Sequence, residues 1–260
     1  MSAGRWGDLR ARVLSGIAIA VVGLGEIWLG GVAFHLLIVA CAGLMIWELM
    51  RMTAPGNPAV AVGLGAMGAG ALAGAPYLGL WMNAGVALVL GLVAALAASR
   101  LKPATAAYAV AVVLASVFLL MLRAVDLNLT LWLVLVVVMS DIMGYFAGRI
   151  LGGPKFWPAI SPKKTWSGTL AGWIGAAVVG LMLIPGGALT VILVSVGMSF
   201  AGQLGDIAES AIKRKTGVKD SSNLIPGHGG VLDRFDALIG ASLVLGVAVF
   251  VFGLVETAIQ

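Results

Sequence analysis

Residues 203–237, QLGDIAESAIKRKTGVKDSSNLIPGHGGVLDRFDA, hold five of the chain's eleven acidic residues, five of its sixteen basic ones and one of its two histidines. Asp206, Glu209, Ser210 and Lys213 recur at i, i+3, i+4 and i+7, a spacing that puts all four on one face of a helix. Asp233 and Asp236 stand three apart with Arg234 between them. Between the two acidic groups runs Pro226-Gly227-His228-Gly229-Gly230, where glycines let backbone N–H groups approach an anion without a Cβ in the way. The carboxylates of Asp206 and Asp233 are hard oxygen donors. They suit Mg²⁺, which binds through one or two carboxylates plus phosphate oxygens. Lys213, Arg214, Lys215 and Lys219 can offset phosphate charge, and Arg234 can grip a phosphate with two parallel N–H donors. Carboxylates for a metal beside cations and glycines for phosphates point to phosphoryl or nucleotidyl transfer, which relies on positioning and charge stabilisation. A loop that only set membrane topology would account for the lysines, but not for two aspartates at helix ends or for the glycine-histidine turn.

A second polar segment supports the first. Asp141 falls inside an apolar run, where an ionisable group marks a functional site by default. Downstream come Arg149 and Ser161-Pro162-Lys163-Lys164-Thr165-Trp166, where paired lysines beside Ser and Thr at a helix start suit a phosphate. By itself that lysine pair is equally compatible with a basic topogenic loop.

The elements that must hold these residues are membrane helices. Hydrophobic residues make up 61% of the 260 and charged ones only 10%, against roughly 25% charged in soluble domains. Long apolar runs recur without the ~10-residue alternation of a membrane β-barrel. The expected fold is therefore all-α and polytopic, with about nine spans near residues 13–29, 32–50, 59–75, 80–98, 104–122, 129–147, 166–184, 188–206 and 235–255. Each is close to the ~20 residues that cross a bilayer. With the N-terminus in the cytoplasm, fifteen of the sixteen basic residues fall on the cytoplasmic side and only Arg123 on the other, a strong positive-inside bias. Residues 1–130, about five helices, read as scaffold; residues 131–260 read as the catalytic half, with its site on the cytoplasmic face. Glu26 and Glu48 lie near span ends, where long side chains can snorkel, and read as bland. The single Cys41 excludes a disulfide framework. A net charge of +5 reflects topogenic lysine and arginine rather than a nucleic-acid partner.

The run Ser210-x2-Lys213-Arg214-x4-Lys219-Asp220-x-Ser222-x2-Ile225-Pro226-x-His228-Gly229-Gly230-x2-Asp233-Arg234-x-Asp236 resembles the signature of the phosphatidate cytidylyltransferases, or CDP-diacylglycerol synthases. Gly205-Asp206-x2-Glu209-Ser210, Ser140-Asp141 and the SPKKTW segment resemble that family as well, so the likeness is close over residues 140–236 and rests on hydropathy and size before residue 130. Ser167 departs from the pattern, because the family usually has an acidic residue after that tryptophan. The resemblance implies transfer of CMP from CTP to phosphatidic acid in the bilayer, with Mg²⁺ and room for a second, monovalent cation. It implies that Asp206 and Asp233 are the metal ligands; the phosphate-binding chemistry of Lys213 and Arg234 adds those two to the expected catalytic set. Lys163, Lys164, Ser210, Lys219, His228, Gly229 and Gly230 are expected to bind phosphates, with Asp141, Glu209 and Asp236 as additional candidates. A compact chain of this kind is expected in a bacterial inner membrane. Oligomeric state stays open, a homodimer included. The rival from another class is an ion-coupled transporter, which would spread ionisable groups through mid-bilayer in repeated halves rather than gather them at one edge.

Overall fold

The computed structural model describes residues 3–253, with side chains described from residue 14 onward, Pro162 apart. The side chains of Arg5, Arg10 and Arg12, which the charge pattern invokes, lie outside the described ones, as do residues 254 and 255 of the ninth expected span.

Nine α-helices are found among the described residues: α1 (Ala3–Leu29), α2 (Gly31–Thr53), α3 (Pro58–Gly74), α4 (Leu80–Ala97), α5 (Lys102–Val125), α6 (Leu127–Ile150), α7 (Trp166–Leu183), α8 (Ala188–Thr216) and α9 (Leu232–Phe250). Seven, α2 to α8, are long and apolar enough to cross a membrane. The apolar part of α1, Leu14–Leu29, is shorter, and α9 carries Asp233, Arg234 and Asp236 in its first turns. Among the described residues, β structure comprises a short antiparallel hairpin of β1 (Lys155–Trp157) and β2 (Ser161–Thr165) and an isolated bridge between Ile225 and Gly229. SPKKT thus forms a strand, and the helix starts at Trp166. Its N-cap is Thr165, whose hydroxyl accepts the Gly168 N–H at 3.2 Å. Ser167 donates to Gly152 O at 2.5 Å. This bond ties the start of α7 to the Gly152-Gly153 turn, where both residues have positive φ.

Packing divides the chain into two compact units, and the division is discontinuous in sequence: Met1–Leu120 with Ile212–Phe235, and Met121–Ala211 with Asp236–Gln260. The polar loop after α8 therefore belongs to the same unit as the N-terminal helices.

Within the first unit, small residues let helix backbones touch. A Cβ on Gly65 of α3 would sit 2.9 Å from Trp47 Cβ of α2, and one on Gly91 of α4 would sit 2.9 Å from Ala106 O of α5. The same device recurs in the second unit. There a Cβ on Gly168 of α7 would sit 2.6 Å from Gly144 O of α6, and Gly205 of α8 lies against Asp236 O of α9. Two polar pairs inside this unit join across helices: Trp132 Nε1 donates to Ser195 Oγ at 2.9 Å and Ser140 Oγ meets Ser199 Oγ at 2.7 Å. Asp126 caps α6 by accepting from the N–H groups of Asn128 and Leu129.

Candidate active site

In the second unit, the site is built around Asp206 of α8 and Lys164 of β2. Lys164 Nζ lies 2.6 Å from Asp206 Oδ2 and donates to Gln203 O at 3.3 Å. Ser210, one helical turn on, donates to Asp206 Oδ1 at 3.2 Å. Both members of the ion pair are part-exposed, at 24% and 34%, so they are held in place yet open to a ligand. Beside them is a cavity of about 440 Å³ whose lining includes Asp141, Arg149, Lys163, Lys164, Thr165 and Gln203. Arg149 donates to the Tyr145 hydroxyl at 2.8 Å on its rim. Asp141 and Lys163 are both exposed. Three cations from α6 and β2 thus share one concavity with a carboxylate. Glu209 is fully buried, and Asp236 is half-buried with its Oδ1 accepting its neighbour's N–H from Ala237 at 2.8 Å.

In the first unit, the centre is Asp233, in the first turn of α9 and just before its apolar stretch. Its Oδ2 accepts three hydrogen bonds: Ser221 N at 2.9 Å, Ser221 Oγ at 2.9 Å and Gly230 N at 2.7 Å. Its Oδ1 meets Lys213 Nζ at 2.5 Å. Burial alone would push this carboxyl up. The bonds from Lys213, Gly230 and Ser221, with the lysine's charge, outweigh burial and hold it below the ordinary aspartate value. Gly229 has φ +83°, which only glycine adopts without strain, and a Cβ there would lie 2.7 Å from Asp233 Oδ2. A Cβ on Gly230 would collide with Ser221 Oγ and Glu48 Oε1.

The glycine-loop amides are engaged within the protein. Gly230 N–H goes to Asp233, and Gly229 N–H to Ile225 O at 3.1 Å. The anion that the glycines let the backbone approach is here the chain's own carboxylate. His228 Nδ1 lies 2.7 Å from Ser15 Oγ of α1, which itself donates to Pro226 O at 3.0 Å. Lys219 and Arg234 are exposed.

The residue that sequence reasoning missed is Glu48 of α2. It does not snorkel. It is completely buried and accepts four hydrogen bonds from the polar loop: Ser221 Oγ at 3.2 Å, Ser222 Oγ at 2.5 Å, Val231 N at 3.0 Å and Leu232 N at 2.7 Å. Its one signal in the sequence was a carboxylate in an apolar run, 173 residues before its nearest polar partner in the chain. Among the described residues, no three His, Cys, Asp or Glu side chains converge as a metal cage.

Helices long and apolar enough to cross a membrane, with lysine–carboxylate pairs and a cation-rich cavity, define an integral membrane protein equipped for phosphate chemistry. Residues 10–252 match the cytidylyltransferase family. A phosphatidate cytidylyltransferase of Brucella abortus is 34% identical over 257 residues, 92% of each chain. Proteins of the same name from Helicobacter pylori and Staphylococcus haemolyticus are 44% and 41% identical over 124 and 122 residues, somewhat under half of each chain. The chain belongs to the cytidylyltransferase family, and is a nucleotidyltransferase.

Proposed function

We propose that this protein transfers CMP from CTP to phosphatidate, releasing pyrophosphate and leaving CDP-diacylglycerol in the bilayer of a bacterial inner membrane, with its site on the cytoplasmic side. The observation that carries this reading is the Lys164–Asp206 pair beside a cavity that also holds Arg149 and Lys163, in a chain whose relatives are named for that reaction.

A lipid phosphate is already ionised at neutral pH, so its oxygen attacks the α-phosphorus of CTP without a strong general base. The α–β phosphoanhydride bond breaks as the new P–O bond forms, and pyrophosphate leaves with the electron pair. The chain's own contribution is to hold phosphates with Lys163, Lys164 and Arg149, and to exclude competing geometries. Exposed Lys219 and Arg234 are further phosphate ligands on the loop. Lys213 is already committed to Asp233, so its role is to fix that carboxylate.

The donor set fits Mg²⁺. Asp206 holds an ammonium on one oxygen and is part-exposed, which suits a hard cation that completes its shell with phosphate oxygens. Asp233 has three donors on Oδ2 and Lys213 on Oδ1, so a metal would bind at Oδ1 beside or in place of that ammonium. Asp206 and Asp233 are accordingly the proposed ligands, and a monovalent ion as a second cation is compatible with them. Bound there, the metal would offset negative charge as pyrophosphate departs.

Release of pyrophosphate from CTP that depends on added phosphatidate tests the reading. Lys164→Ala should lower kcat/KM by about 10–100-fold, as expected for a lost charged hydrogen bond of about 1.5–3 kcal/mol. Wild-type release that needs no lipid phosphate would contradict the acceptor.

A further inference from the structure

We infer that Glu48 is a positioning residue for the reaction, the buried post on which the Asp233 loop is set. A carboxylate removed from water must be compensated by a cation or by hydrogen bonds. Among the described residues no lysine or arginine pairs with Glu48, and its four donors all come from the polar loop and the start of α9. The donors form two pairs that are far apart in the loop. Ser221 and Ser222 open it, while Val231 and Leu232 close it at the first turn of α9. Glu48 therefore clamps both ends of a loop of about ten residues to α2, and caps α9 from outside with negative charge where the helix dipole favours it.

Asp233 uses the same framework from the other side. Ser221 presents its N–H and its hydroxyl to Asp233 Oδ2, and that same hydroxyl lies 3.2 Å from Glu48 Oε2. One hydroxyl proton thus serves two carboxylates, and moving Glu48 must move the donor that orients Asp233. With Oδ2 held, Oδ1 is the atom directed at Lys213. Gly230 is a glycine for the same reason: its backbone passes between Glu48, Ser221 and Asp233 with no room for a methyl group.

This inference rests on the proposed transfer reaction, and the test separates the two. Glu48→Gln keeps the shape but turns an NH₂ donor toward donors that need an acceptor. In detergent-solubilised full-length protein, CMP transfer and hydrogen–deuterium exchange of residues 217–233 are measured for the wild type and the variant. We expect kcat to fall by about 10–100-fold, the loss typical of residues that orient a site, with KM for CTP changed less than threefold and faster exchange confined to the loop. A purely structural Glu48 would lower the melting temperature while leaving kcat per folded molecule unchanged, and that result overturns the proposal. If Glu48→Gln is not recovered folded, Ser222→Ala decides. It removes the 2.5 Å donor and leaves the charge; a several-fold loss of kcat at constant KM supports the inference, and an unchanged kcat overturns it. Should the wild type transfer no CMP, the reaction reading fails. Unchanged exchange in the loop of Glu48→Gln would then overturn the clamp as well.

Discussion

Two aspartates carry the account at the scale of single residues, and their surroundings differ. Asp206 is part-exposed with one lysine and one serine as partners; Asp233 is buried and has four donors. Asp233→Asn puts an amide where Lys213 and three other donors point. CMP transfer should fall by at least the ~10–100-fold of a disturbed metal-site support, in protein that still inserts and folds; near-normal turnover would remove Asp233 from the site. The depressed titration of Asp233 has a consequence for stability. A carboxyl whose folded value lies below its unfolded value of about 3.9 contributes stability that is fully present above that pH. The contribution is lost as pH falls through the lower folded value. Melting temperatures in detergent from pH 7 to pH 3 should therefore drop below about pH 4 in the wild type. Asp233→Asn should melt lower at pH 7 and show a flatter acid limb. Both aspartates were legible in the sequence because charge in an apolar chain stands out. Glu48 was not, since nothing local distinguishes a snorkelling glutamate from one whose four donors lie more than 170 positions away.

At the scale of elements, the loop between α8 and α9 and the hairpin before α7 place the chemistry. The helical spacing of Asp206 and Ser210 was read correctly, and their side chains do meet. Asp233 does stand in the first turn of α9, but Asp206, expected at a helix end, lies inside α8, which runs on to Thr216. The hairpin was not foreseen. Residues 155–165 form β1 and β2 through backbone pairing across a turn, and a lysine pair flanked by Ser, Pro and Thr carries no alternation that would announce a strand. The glycine loop was read as a cradle for an outside anion, while its Gly230 amide serves Asp233 and its turn is shaped by Gly229. Gly230→Ala must displace Ser221 or Glu48. It should destabilise the loop by at least the ~1–3 kcal/mol of an overpacked interior, measured as a lower melting temperature with faster exchange in residues 217–233. Thr165→Ala removes the cap of α7 and should cost about 1 kcal/mol, a smaller effect readable in the same melting experiment.

For the molecule as a whole, hydropathy made the helical membrane architecture plain, since nearly every apolar run became a helix. The two compact units were hidden, because each joins segments that are distant in sequence and no local pattern encodes that pairing. The same helical plan serves many functions, so the reaction had to come from the site. The most direct measurement uses purified protein in detergent with phosphatidate, CTP labelled in the cytidine moiety, and Mg²⁺, followed by extraction of the lipid. The account predicts label in the lipid phase, abolished by EDTA and little affected by excess ATP. Folded protein that leaves all label in the aqueous phase would contradict it.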